Sequence, residues 1–211
     1  AFKYIKGDEK LNPVAYPCGK ANNSSELKQI SPFQKMCWQV IYNKSDLEKY
    51  NIIFVPGLKY CEDNLFVSNA IHCVDVVHID RDILIYRNNP TSAMNTKMMW
   101  KDKIIPAVKG RMFYEQRFSD VPKLAKMNKA CAFGGIYEHI VFSFKEGRTI
   151  LQMEQDLKDA ELFDMYQNYH KYGIPDDLEL KFEKYFKNKK LFYIKCRFEE
   201  FFKGIYRKIK N

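Results

Sequence analysis

The hydrophobic pattern of the chain changes period near residue 90. Before that point apolar residues come in short runs. Residues 1–5 alternate apolar and polar positions like part of a strand, and residues 6–26 are polar and loop-like, with Gly7, Pro13, Pro17 and Gly19 as turn formers. Ser31-Pro32 opens a segment to Tyr42 whose apolar positions fit either a helix or a buried strand. Ser45-Asp46-Leu47-Glu48 has the spacing of a capped short helix, and Ile52-Ile53-Phe54-Val55 reads as a short β run that stops at Pro56-Gly57. Leu65, Phe66, Asn69, Ala70 and Cys73 then recur at helical spacing and predict a helix over 62–73. Residues 74–87 predict strand–turn–strand around Asp80-Arg81. Beyond this the period is helical, over 96–110, 121–143, 148–172 and 178–211, punctuated by Glu146-Gly147 and by Gly173-Ile174-Pro175-Asp176-Asp177. The expectation is an α/β chain: a sheet-bearing region over 1–97, a helical extension over 98–172 and a basic, aromatic C-terminal tail over 173–211.

Composition narrows the classes. Apolar residues make up 46% of the 211, enough for a core, so global disorder is not expected. The net charge of +9 suits either an anionic partner or a solvated, Lys-rich surface. The 6 Cys include no CxxC pair and no Cys/His group at zinc-ligand spacing. They read as reduced thiols of a cytoplasmic protein. Residues 1–10 show no apolar signal region, and no stretch reaches the length of uncharged apolar sequence that a bilayer span needs. G-x-G-x-x-G, Walker A and nucleophile-elbow motifs are absent.

The candidate chemistry lies between residues 31 and 97. Pro56-Gly57 turns the chain and delivers two adjacent acids, Glu62 and Asp63, to the start of the predicted helix. A carboxylate there is held in one direction and favoured in its charged form, as a general base requires. The approach Phe54-Val55-Pro56-Gly57-Leu58-Lys59-Tyr60-Cys61-Glu62-Asp63 matches the F-x-x-G-x-x-x-x-E-D pattern of family 2, GT-A type glycosyltransferases. Trp38 followed by the run from Asn43 through Ser45, Leu47, Asn51 and Ile52 to Phe54 matches a flank found upstream in that family. Ile85-Tyr86-Arg87-Asn88-Asn89-Pro90-Thr91-Ser92 matches the Y-x-Y-R-x-x-P-x-S strand end apart from its first Tyr. The stretch therefore resembles the acceptor-side half of such an enzyme.

That resemblance implies a partial GT-A-like (Rossmann-like) sheet and an inverting transfer from a nucleotide-sugar, with a UDP-sugar as the expected donor. Asp63 would be the base, and Glu62 would assist it or contact a sugar. Tyr60 and Asn64, flanking the pair, are candidate substrate contacts. Trp38 suits either stacking on an acceptor sugar or a place in the core. Arg87 suits either the donor diphosphate or a strand-end salt bridge. His72 and His78 are weaker candidates, read as ordinary histidines. Asp80-Arg81-Asp82 follows the acid pair instead of preceding it and reads as a turn.

The family's first strand, nucleotide pocket and metal-holding DxD have no counterpart in the chain, so Mg²⁺ or Mn²⁺ is expected only in a complete enzyme. The chain alone is expected to be inactive, as a fragment, a split-gene product or a repurposed remnant. The acceptor would be a glycan or lipid-linked glycan of bacterial surface-polysaccharide assembly. In the tail, Phe192, Phe198, Phe201, Phe202, Ile205 and Ile209 recur near helical spacing among Lys and Arg. Such a helix either lies in a membrane interface, on the inner face of the plasma membrane, or packs on the domain with a solvated basic face. The rival to the enzyme reading is a non-catalytic module that docks on anionic membrane or on a partner chain. Nucleic acid is not expected, since no RNA-binding signature accompanies the basic aromatics.

Overall fold

The computed structural model describes residues 3–6, 9–10, 19–21, 37, 42–73, 76–78, 85–86 and 99–210. The chain divides into two compact units. One comprises residues 1–57 and 61–98, the other Leu58–Tyr60 and Met99–Asn211.

The expected α/β fold with a Rossmann-like sheet is corrected: the described chain is mostly helical and shows no such sheet. Among the described residues, strand occurs in fragments of two to four residues: Lys3–Lys6, Glu9–Lys10, Gly19–Ala21, Val76–His78 and Ile85–Tyr86. They pair as two small sheets. Lys3–Lys6 lies between an antiparallel Glu9–Lys10 and a parallel Ile85–Tyr86, while Gly19–Ala21 pairs antiparallel with Val76–His78. The described parts of the predicted strands around Asp80-Arg81, Val76–His78 and Ile85–Tyr86, thus pair with other segments. Ile52–Val55 has no regular secondary structure and joins no ladder. Only Ile52 in it is buried, and Phe54 stacks face to face on Phe66 of the following helix, with centroids 4.2 Å apart. The apolar run is used for side-chain docking, which periodicity alone does not separate from strand pairing.

The C-terminal unit is helical throughout its main part. Helices Lys101–Arg117 and Pro122–Lys145 form a closely packed pair. Ile150–Asp159, Phe163–Gln167, a 3₁₀ turn at Tyr169–Tyr172, Asp176–Lys187 and Lys189–Lys210 follow. Two of the predicted helices are broken. Residues 148–172 divide where Glu161 takes a left-handed φ of 61°, and 178–211 divides at Asn188, whose φ of −155° and ψ of 81° are not helical. Thr149 starts the 150–159 helix with a reciprocal capping box to Gln152. Phe133, Ile136, Ile140 and Phe144 of the long helix pack against Met153, Leu157, Tyr166, Phe182 and Tyr185 from the later helices to form one core. Gly135 sits where the first two helices touch. A Cβ there would lie 2.5 Å from Val108 Cγ2.

Two polar clusters are built into this core. Asp156, 9% exposed, forms a two-pronged ion pair with Arg148, whose Nη2 donates to Oδ1 at 2.8 Å and whose Nη1 meets Oδ2. Lys101 Nζ stands 3.5 Å from Oδ1 and His139 Nε2 3.4 Å from Oδ2. His139 is 1% exposed, and burial pushes its pKa down to about 4, against the opposing pull of the Asp156 charge. In the second cluster Tyr166 donates to Glu154 at 2.7 Å and shares a 2.9 Å hydroxyl contact with Tyr185. Lys189 reaches the same Glu154 oxygen at 2.8 Å and lies over the Tyr166, Tyr185 and Phe186 rings. Burial opposes the Glu154 charge, but the hydrogen bonds from Lys189 and Tyr166 outweigh it and hold the carboxyl below its ordinary range.

Candidate functional site

The approach to the acid pair begins with the short helix Lys44–Lys49. Its cap is Asn43, whose side chain accepts from the Ser45 N–H at 3.1 Å and the Ser45 hydroxyl at 2.8 Å. The cap expected at Ser45 is therefore shifted by two residues. Asn51, with φ 51°, turns the chain out of this helix, and Ile52 N–H donates to Leu47 O at 2.9 Å. Pro56-Gly57 forms the predicted turn. Gly57 has φ 74°, a left-handed value that only glycine adopts without strain, and Cys61 is left-handed too at 61°.

Helix Glu62–Cys73 starts directly after Cys61, whose carbonyl accepts the first helical hydrogen bond, from Leu65 N–H at 3.0 Å. Leu65, Phe66, Val67, Asn69 and Ala70 are buried, so the helix is fixed by its apolar face. Asn69 is satisfied by donating to Leu65 O at 2.8 Å. Glu62, Asp63 and Asn64 stand half-buried on the first turn. Asp63 Oδ1 accepts from the Asn64 N–H at 2.7 Å, which orients the carboxylate by one of the N–H groups left open at a helix start.

Tyr42 belongs to this neighbourhood, and sequence reasoning did not single it out. Its ring meets Phe66 edge-on at 5.2 Å, and its hydroxyl is buried without a hydrogen-bond partner. Burial first, then the charges of Cys37 and Asp63, raise the phenol well above its ordinary value, so it is neutral at physiological pH. The arrangement thus offers a fixed carboxylate and a neutral phenol beside the same buried helix. Cys73, at the end of that helix, is pushed up to about 11 by burial and is an inert thiol. The five described cysteines are free.

Among the predicted site residues, Glu62, Asp63 and Asn64 come together. Tyr60 belongs to the other compact unit, with Leu58 and Lys59. Trp38, Arg87 and Asp80-Arg81-Asp82 lie outside the described residues, as do the side chains of His72 and His78. Among the described residues no three His, Cys, Asp or Glu side chains group as metal ligands, and no chemical step is assigned to a divalent cation. No described helix is long and apolar enough to cross a membrane. No protein-family model matches the chain, and no curated protein or solved structure matches it.

Proposed function

We propose that the chain is the acceptor-side and C-terminal part of an inverting glycosyltransferase that uses a nucleotide-sugar, with Asp63 as the general base. The observation that carries this reading is the place of Asp63. It is half-buried on the first turn of a helix whose apolar face is packed, after the left-handed turn at Gly57 and the left-handed Cys61, in the sequence context that resembles family 2 enzymes. Asp63 takes the proton of an acceptor hydroxyl as that oxygen attacks the anomeric carbon and the nucleoside diphosphate departs. Glu62 and Asn64 contact the sugars. Trp38 and Arg87 are candidate substrate contacts. The donor, a UDP-sugar, is held by a unit supplied by a longer polypeptide or by a partner chain, together with the Mg²⁺ or Mn²⁺ that the resemblance implies. The acceptor is a glycan or lipid-linked glycan of bacterial surface-polysaccharide assembly, on the cytoplasmic side.

The test is sugar transfer by the polypeptide purified as its native cell makes it. Asp63→Asn should lower transfer by about 10²- to 10⁴-fold, the range of general-base catalysis, with an unchanged circular dichroism spectrum. A rate that survives the substitution would remove Asp63 from the chemistry.

A further inference from the structure

Helix Lys189–Lys210 carries two apolar faces. One is used inside the molecule. Phe192 meets Tyr185 edge-on at 5.4 Å, Tyr193 meets Phe144 at 5.2 Å, and Cys196 is buried. Arg197 adds a latch, donating from Nη1 to Lys145 O at the end of helix 122–145, at 3.2 Å. The first two turns are thereby anchored on the core.

The opposite face is exposed. Leu191, Ile194, Phe198, Phe201, Phe202 and Ile205 follow one another at spacings of one, three and four residues, which places them on one side of the helix. Phe198 is 57% exposed, Phe201 62% and Phe202 61%, and Tyr206 extends the row. Singly exposed apolar residues are ordinary on protein surfaces, but an uninterrupted row of rings and branched chains is an interaction site. Phe198, Phe202, Ile205 and Tyr206 line an open groove together with Lys195, Lys203 and the acid Glu199.

Charge decides what fits there. The helix holds eight Lys or Arg against two Glu, a net +6 of the chain's +9. A second copy of this helix would set +6 against +6, so self-pairing along the stripe is opposed by its own charge. A surface that offers hydrocarbon beneath a layer of negative charge matches both features at once. The helix is not apolar enough to cross a bilayer, so it would lie in the plane of one. Tyr206, a ring with a polar tip, suits the headgroup level.

We propose that helix 189–210 is an interfacial anchor that lies in the surface of a bilayer rich in anionic phospholipid. Phe198, Phe201, Phe202 and Ile205 enter the acyl boundary, and Lys195 and Lys203 take lipid phosphates. The proposal goes beyond the glycosyltransferase reading and does not depend on it, because none of these residues belongs to the acid-pair helix.

The test is co-sedimentation of the whole 211-residue chain with vesicles of phosphatidylcholine, with and without phosphatidylglycerol. The chain should pellet with the anionic vesicles and stay in the supernatant with phosphatidylcholine alone, and added salt should release it. Phe198→Gln with Phe202→Gln removes two exposed rings that make no core contact. This variant should keep its helical circular dichroism and lose about tenfold or more of its vesicle partitioning. Lys195→Glu with Lys203→Glu should weaken binding by a similar factor. Asp63→Asn should leave sedimentation unchanged. The proposal is overturned by equal binding to both vesicle types, by no binding, or by binding that survives both double variants. It is also overturned if the wild type self-associates through the stripe, seen as a dimer that Phe198→Gln with Phe202→Gln dissociates while vesicles leave it in solution.

Discussion

His139 lies fully buried in the helical core. It stays neutral in the folded core with a pKa of about 4, against an ordinary value of 6.5. The unfolded chain therefore takes up a proton at higher pH than the folded one. The contribution to stability is complete above about pH 6.5 and is lost as pH falls towards 4. Urea unfolding at pH 7 and pH 5 should show lower stability at pH 5, and His139→Leu should flatten that slope; an unchanged slope would mean that other groups set it. Beside it, Asp156 and Arg148 hold each other's charge in a largely buried site. Asp156→Asn leaves the guanidinium without its counter-charge and should destabilise the unit by about 3 kcal/mol, measurable as a lower urea midpoint. None of these pairings is legible in the sequence, where His139, Arg148 and Asp156 stand on two different helices and the turn between them. At the acid pair more could be read. The turn glycine, the two acids and the apolar face behind them were all visible, because each depends on local backbone demand and spacing. Tyr42 was not, because its place beside Asp63 and Phe66 follows from how two separate segments pack.

At the scale of elements, helix 62–73 agrees with its predicted span, since its apolar positions recur at one period and bury on one face. The later helices show where spacing fails. Periodicity runs on through Glu161 and Asn188, yet each leaves helical geometry so that the next segment can fold back on the core. The start of the 150–159 helix carries a local signal, Thr149 with Gln152 three residues on, which forms the capping box. Close approach of helices 101–117 and 122–145 gives a paired test. Gly135→Ala would press a methyl into buried Val108 and should cost about 1–3 kcal/mol. Gly134→Ala, next to it in the same helix, meets nothing within 4 Å. It should be neutral or stabilise by about 0.5–1 kcal/mol, as expected for alanine in a helix interior. Equal urea midpoints for the two variants would mean that the helices separate enough to admit the methyl.

For the whole molecule, the core residues of the C-terminal unit all fall between Ile104 and Cys196. A chain beginning at Met99 should therefore fold alone, with helical circular dichroism and one cooperative urea transition. A gradual, non-cooperative loss of signal would show that the unit needs residues before Met99. The sequence by itself determined what depends on neighbours along the chain: the helical character after residue 99, the Pro56-Gly57 turn, the acids on the first turn of helix 62–73, and the helical recurrence of apolar residues in the C-terminal tail, which the sequence read as one row with Phe192 in it whereas Phe192 packs on the core. Only the tertiary structure decided what depends on distant partners. Among the described residues, short apolar runs dock or pair in fragments and build no Rossmann-like sheet, because a strand is completed by its neighbours and not by its own period. Which face of helix 189–210 is covered and which is left open was decided in the same way, by the rings of Phe144 and Tyr185 that lie across from it.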